Sequence, residues 1–134
     1  MIVGVVQGRE ALIRLTIRGF RGRQQQIEAV VDSGYTGWLT LPPTAIAALN
    51  LRWRTFGRGI LADGSVSAFD VYQAKVVWDG RVRRVFVDEF DATPLIGMAL
   101  LRGYEYKMQV RARGKVTIKR LPGGRRQRHG TPDP

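Results

Sequence analysis

The chain contains no cysteine. That absence excludes a disulfide framework, a thiolate metal site and cysteine-based nucleophilic catalysis. Histidine is almost missing too. The single one, His129, stands in a Gly/Pro/Arg-rich stretch at the end, so a Ser-His-Asp triad and a histidine metal site lack their ordinary parts. No cofactor or metal ion is expected, and the catalytic chemistry left to the chain is that of carboxylates. Long apolar runs are absent as well. The first seven residues carry no basic n-region and no later stretch reaches membrane-spanning length, so the expectation is a cytoplasmic protein without membrane contact. Acids are scarce, eleven against twenty-two Lys and Arg, for a net charge of +11. Residues 111–134 account for +7 of it, with eight Lys/Arg against one acid, so the basicity is concentrated at the end.

A length of 134 residues suits one domain with a modest core and is too short for two packed lobes of ordinary size. Hydrophobic residues at 44% against 25% charged place the body among folded chains rather than disordered ones. Ile13, Leu15 and Ile17 alternate with Arg14, Thr16 and Arg18, the period-two signature of a strand with one buried face. The pattern returns at Tyr104, Tyr106, Met108 and Val110, then at Val116 and Ile118 after Gly114, which reads as a hairpin. Further β segments are expected over 2–7, 25–31, 38–41, 51–56, 59–62, 66–78 and 81–87. Asp63-Gly64 and Asp79-Gly80 are the strongest turn signals between them, because tight hairpins need a positive φ that glycine supplies at little cost.

Two helical pieces interrupt the strands. Pro42-Pro43-Thr44 opens 45–49 and Asn50 closes it, and 97–102 makes a turn or two before Gly103. Many short strands with such small helices predict a mostly β sandwich or barrel. The domain is expected to span 1–121. From Pro122 to residue 134 the composition turns to Gly, Pro, Arg and Gln, which offers nothing to offset the entropy of ordering and reads as a flexible basic tail. No internal repeat is visible, and Asp-Ser/Thr-Gly occurs once.

That one occurrence is Asp32-Ser33-Gly34, which follows the apolar Val30-Val31 and precedes another β segment after the Gly37 turn. An acid placed there is delivered by a strand to a loop. Gly34 lets backbone approach the carboxylate, its N–H can stabilise the anion, and Ser33 can hydrogen-bond outward. The same three residue types also build ordinary Asx turns, and composition alone yields the tripeptide in roughly one chain in twenty of this length. What distinguishes this copy is its company, above all Pro94-Leu95-Ile96-Gly97 about sixty residues downstream.

Together, Val30-Val31-Asp32-Ser33-Gly34, the strand 38–42, the hairpin 59–69 and Leu95-Ile96-Gly97 leading into a short helix resemble the retropepsin-like aspartic peptidases, a single-lobe family. The resemblance covers about residues 10 to 110. The hairpin carries Leu61-Ala62-Asp63-Gly64-Ser65 instead of a glycine-rich tip, Tyr35 stands where a small residue is common, and Met98 follows Gly97 where viral members tend to have Arg. In these respects the chain is closer to cellular, bacterial-type relatives. The resemblance implies a retropepsin-like fold and an aspartic endopeptidase whose catalytic residue is Asp32. It implies that Ser33, Gly34, Leu95, Ile96 and Gly97 support the catalytic loop. Tyr35, Leu61, Ala62, Asp63 and Gly64 then form the flap and substrate-binding region over a peptide or protein substrate.

Carboxylate hydrolysis of a peptide needs one ionised group to take a proton from water and one protonated group to donate to the scissile carbonyl. Two carboxylates forced together share a proton and provide both states. A chain with one copy can bring such a pair together only across a two-fold axis, so a homodimer is expected. Asp88, Glu89 and Asp91 are read as a solvated loop rather than a second catalytic acid or a metal pocket. Two other functions stand beside this one. A small β domain with Arg52, Arg54, Arg58, Arg81, Arg83 and Arg84 beside Trp53, Phe56 and Trp78 could bind nucleic acid, as could the basic tail, although these aromatics are expected in the core. A dimeric binding module without catalysis has the same fold requirements.

Overall fold

The structure, a computed structural model, describes residues 1–123. The flexible-tail expectation for 124–134, His129 included, lies outside them; Pro122 and Gly123 are exposed turn residues.

Alternation translates directly into strands. In β2 (Glu10–Arg18), Ala11, Ile13, Leu15 and Ile17 are buried while Glu10, Arg14 and Arg18 point to solvent. Around it lie β1 (Ile2–Gln7), β3 (Gln24–Val31), β4 (Leu39–Leu41), α1 (Pro43–Leu49), β5 (Arg52–Ile60), β6 (Val66–Trp78) and β7 (Arg81–Glu89). The chain continues through β8 (Leu95–Ile96), α2 (Met98–Leu101), β9 (Tyr104–Met108) and β10 (Lys115–Arg120). Asp79 and Gly80 both take positive φ, 52° and 78°, and join β6 to β7 in a two-residue hairpin. At Asp63-Gly64 only Gly64 has positive φ, and the connection is a five-residue loop between Ile60 and Val66. α1 starts with Pro43 in its first turn and ends on Asn50 in the left-handed region.

All ten strands belong to one sheet, in the order β5-β6-β7-β4-β8-β3-β2-β1-β10-β9. β6 also pairs with β2, through Thr16↔Val77, Ile17↔Val76 and Arg18↔Lys75. This extra pairing closes β2, β3, β8, β4, β7 and β6 into a ring. β5 hangs from β6 outside the ring, and β1, β10 and β9 extend from β2. The core inside includes Ile13, Leu15, Leu39, Leu41, Trp78, Val87, Ile96 and Leu100, all at most 2% exposed. Burying each such side chain contributes about 1.5–3 kcal/mol.

Several features depart from the expectations, among them β8 as a strand and Val110, which lies beyond β9 and is exposed. The segments 51–56 and 59–62 merge into one strand, β5, over Arg52–Ile60, because Gly57 and Gly59 pair with Phe69 and Ser67; its register shifts between Trp53 and Thr55, and Leu61 and Ala62 lie in the loop that follows. Asp88 and Glu89 end β7 rather than lying in a solvated loop, since they pair with Thr40 and Leu41 of β4; Asp91 does lie in the following exposed bend. Trp78 is fully buried, but Trp53 and Phe56 are 49% and 66% exposed instead of core, because β5 lies outside the ring. Among the described residues no helix is long and apolar enough to cross a membrane.

Candidate active site

Two residues of backbone organise the site. β8 lies between β3 and β4, parallel to the first through Val30↔Leu95 and Val31↔Ile96 and antiparallel to the second through Leu39↔Ile96. The loop that leaves β3 at Asp32 and returns as β4 must therefore arch over the end of β8. Its bonds follow from that arch. Asp32 N–H donates to Ile96 O at 2.9 Å, Gly97 N–H to Trp38 O at 3.1 Å, Met98 N–H to Tyr35 O at 2.8 Å and Ala99 N–H to Gly37 O at 3.1 Å. Thr40, the buried polar residue of β4, accepts the Leu95 N–H on its Oγ1 at 2.8 Å.

Within the loop, Gly34 N–H donates to Asp32 Oδ1 at 2.9 Å and Tyr35 N–H to Asp32 O at 3.1 Å. The half-buried Asp32 carboxylate is thus oriented by its own loop, and Ser33 and Gly34 are exposed beside it. A Cβ at Gly97 would collide with Gly37 O and the Tyr35 ring, and one at Gly37 would collide with the same ring. These two glycines form the slot that seats Tyr35.

Tyr35 reaches through the slot to the neighbouring strand, where its hydroxyl donates to Asp88 Oδ2 at 2.6 Å. Burial first, then the bond to Asp88, pushes the Tyr35 hydroxyl well above its ordinary pKa. Burial also pushes the Asp88 carboxyl up, partly countered by the bond from Tyr35. The loop is therefore tied to β8 and α2 by backbone and to β7 by a side chain.

Asp32, Ser33, Gly34, Tyr35, Leu95, Ile96 and Gly97 are brought together in one interlocked unit. Leu61, Ala62, Asp63 and Gly64 lie at the exposed tip of the β5–β6 hairpin, and among the described residues no hydrogen bond links that tip to the Asp32 loop. The tip is held locally. Asp63 Oδ1 accepts the Ser65 hydroxyl at 2.6 Å and its N–H at 2.9 Å, which lowers the Asp63 carboxyl below its ordinary value. Thr40 was not singled out from sequence, Gly37 was read only as a turn residue, and Asp88 was read as part of a solvated loop. A polar residue between Leu39 and Leu41 in a buried strand was a readable signal for Thr40; Asp88 gave none.

Chemically, the unit offers one fixed carboxylate at a loop surface. Among the described residues no three His, Cys, Asp or Glu side chains group as a metal site. A depression of about 340 Å³ lies elsewhere, against the β9–β10 hairpin, and is lined by none of these residues. No protein-family model and no curated protein matches the chain.

Proposed function

We propose that the chain is a retropepsin-like aspartic endopeptidase, acting in the cytoplasm as a homodimer in which Asp32 and the partner subunit's Asp32 share one proton. The observation that supports this most is the rigid presentation of Asp32, with Gly34 N–H on its Oδ1 and β8 inserted beneath its loop. An arch built this way spends three elements on holding a single acid at a surface, which an ordinary turn does not require. The exposed Ser33 and Gly34 leave that surface free for a second copy of the loop.

In the dimer the ionised Asp32 takes a proton from water as its oxygen attacks the scissile carbonyl carbon. The protonated one donates to the carbonyl oxygen, giving a neutral gem-diol. Collapse breaks the C–N bond as the protonated Asp32 donates to the leaving nitrogen and the ionised one takes a gem-diol hydroxyl proton, so one water is consumed and the dyad returns with one proton. The hairpin tip at Leu61–Ser65 closes over the extended substrate as a flap and limits water around the reacting carbonyl.

The test is a peptide-library cleavage screen from acid to neutral pH, with Asp32→Asn as control and sedimentation to establish the dimer. Cleavage that disappears in Asp32→Asn supports the reading. A folded dimer that cuts nothing at any pH refutes it, as does activity that survives Asp32→Asn.

A further inference from the structure

Among the described residues β5 lies outside the ring at its end of the sheet and pairs with β6 alone. Seven of its nine residues are exposed, including neighbours that point to opposite faces, and among the described residues no strand pairs with its outer row of backbone N–H and C=O groups. A long open edge of this kind pairs with another chain unless something discourages it. Here the apolar content invites pairing, since Trp53, Phe56 and Ile60 are 49%, 66% and 81% exposed.

Charge decides what can pair. Arg52, Arg54 and Arg58 lie along the edge, the irregularity between Trp53 and Thr55 placing Arg52 on one face and Arg58 on the face of Trp53 and Phe56. Arg21 joins Arg52 through Phe20, whose ring centroid is 3.9 Å from the Arg52 guanidinium and 5.6 Å from that of Arg21. Among the described residues none of these four arginines makes an ion pair. Asp70, which β6 places opposite Phe56, is engaged by the Trp53 indole N–H at 2.9 Å. A second copy of the same edge would set arginine against arginine, so the edge disfavours self-pairing. An acidic strand meets complementary charge along its length.

We propose that the β5 edge docks an acidic extended segment of a partner protein, which adds there as a further antiparallel strand. Main-chain hydrogen bonds supply affinity, carboxylates meet Arg52, Arg54 and Arg58, and an apolar residue of the segment lies against Trp53 and Phe56. Nucleic acid fits the patch less well. Arg52 already covers the Phe20 ring, Phe56 packs on Trp53 with centroids 5.1 Å apart, and a nucleic acid makes no use of the open backbone row. The docking is independent of whether Asp32 hydrolyses peptides.

The full chain carrying Asp32→Asn is titrated with a fluorescent nine-residue peptide of Glu and Val, with Glu along one face and Val and Glu on the other, matched to the length of β5. Its partners in the assay are the Lys/Val counterpart, the two alternately N-methylated forms of the Glu/Val peptide, and an oligothymidylate. The Glu/Val peptide should bind about tenfold or more tighter than the Lys/Val one, and Arg52→Glu with Arg58→Glu should reverse that order. One N-methylated phase should lose binding and the other keep it, because only alternate N–H groups of an added strand face the edge. Equal binding of both methylated phases, tighter binding of the oligothymidylate, or no saturable binding of the Glu/Val peptide overturns the proposal. Since the protein tested is catalytically disabled, none of these outcomes depends on the peptidase reading.

Discussion

Replacing Tyr35 by Phe removes one hydroxyl and leaves the ring in its slot between Gly37 and Gly97, so the variant isolates the 2.6 Å bond to Asp88. A hydrogen bond to a charged acceptor contributes about 1.5–3 kcal/mol in shielded surroundings. Tyr35 and Asp88 are both half-buried and water can partly replace the lost donor, which brings the expected loss to about 1–2 kcal/mol. In urea unfolding the midpoint should fall while the m-value stays constant, as the surface exposed on unfolding is unchanged. A cycle with Asp88→Asn sharpens the assignment, because the amide keeps an acceptor oxygen without the charge. Tyr35→Phe should cost less in that background, with a coupling of at least about 0.5 kcal/mol. The pH dependence has a definite sign. Asp88 titrates above its ordinary 3.8 in the folded chain, so the native state holds that proton to higher pH than the unfolded state does. Its ionisation costs stability as pH rises from 3.8 through the folded value, and nothing below 3.8. Phe at position 35 removes the bond that lowers Asp88, so the deficit of the variant should be smallest below 3.8 and complete at neutral pH. Additive substitutions in the cycle, or a deficit independent of pH, would refute the claim that this bond ties the loop to β7.

Gly97→Ala should cost about 2–3 kcal/mol in thermal or urea unfolding, because its Cβ meets the Gly37 carbonyl as well as the Tyr35 ring and backbone cannot give way cheaply. Gly59→Ala is the control: its Cβ would sit 3.8 Å from Phe69 Cε1, an ordinary contact, and a comparable loss there would sink the argument. Thr40→Val should cost about 1–3 kcal/mol by orphaning the Leu95 N–H while preserving shape, and Thr40→Ser should restore most of it. If Thr40→Val unfolds at the same urea concentration as the wild type, β8 does not depend on that hydroxyl.

Residue periodicity carried most of the secondary structure. β6 was readable to both ends, because Trp78 and Arg81 flank a two-residue Asp-Gly turn whose chemistry is local. β8 was not readable as a strand. Two residues cannot display a period, and Leu95-Ile96 becomes a strand only because β3 and β4 stand on either side of it. The tryptophans show the same limit. Trp53 and Trp78 are chemically alike, yet one is 49% exposed and the other fully buried, since burial depends on whether a strand belongs to the ring or hangs from it.

The sequence by itself determined what acts locally or by elimination: which segments alternate, where glycine turns the chain, that cysteine and histidine chemistry is excluded from most of it, and that Asp32 lies at the end of an apolar strand beside Gly34. Tertiary structure decided what depends on distant residues meeting. Tyr35 and Asp88 are 53 positions apart and Thr40 and Leu95 are 55 apart, and neither pairing leaves a periodic trace. The open Arg-rich edge of β5 belongs to this second group as well, because a strand becomes an edge through the order of all ten strands and not through its own residues.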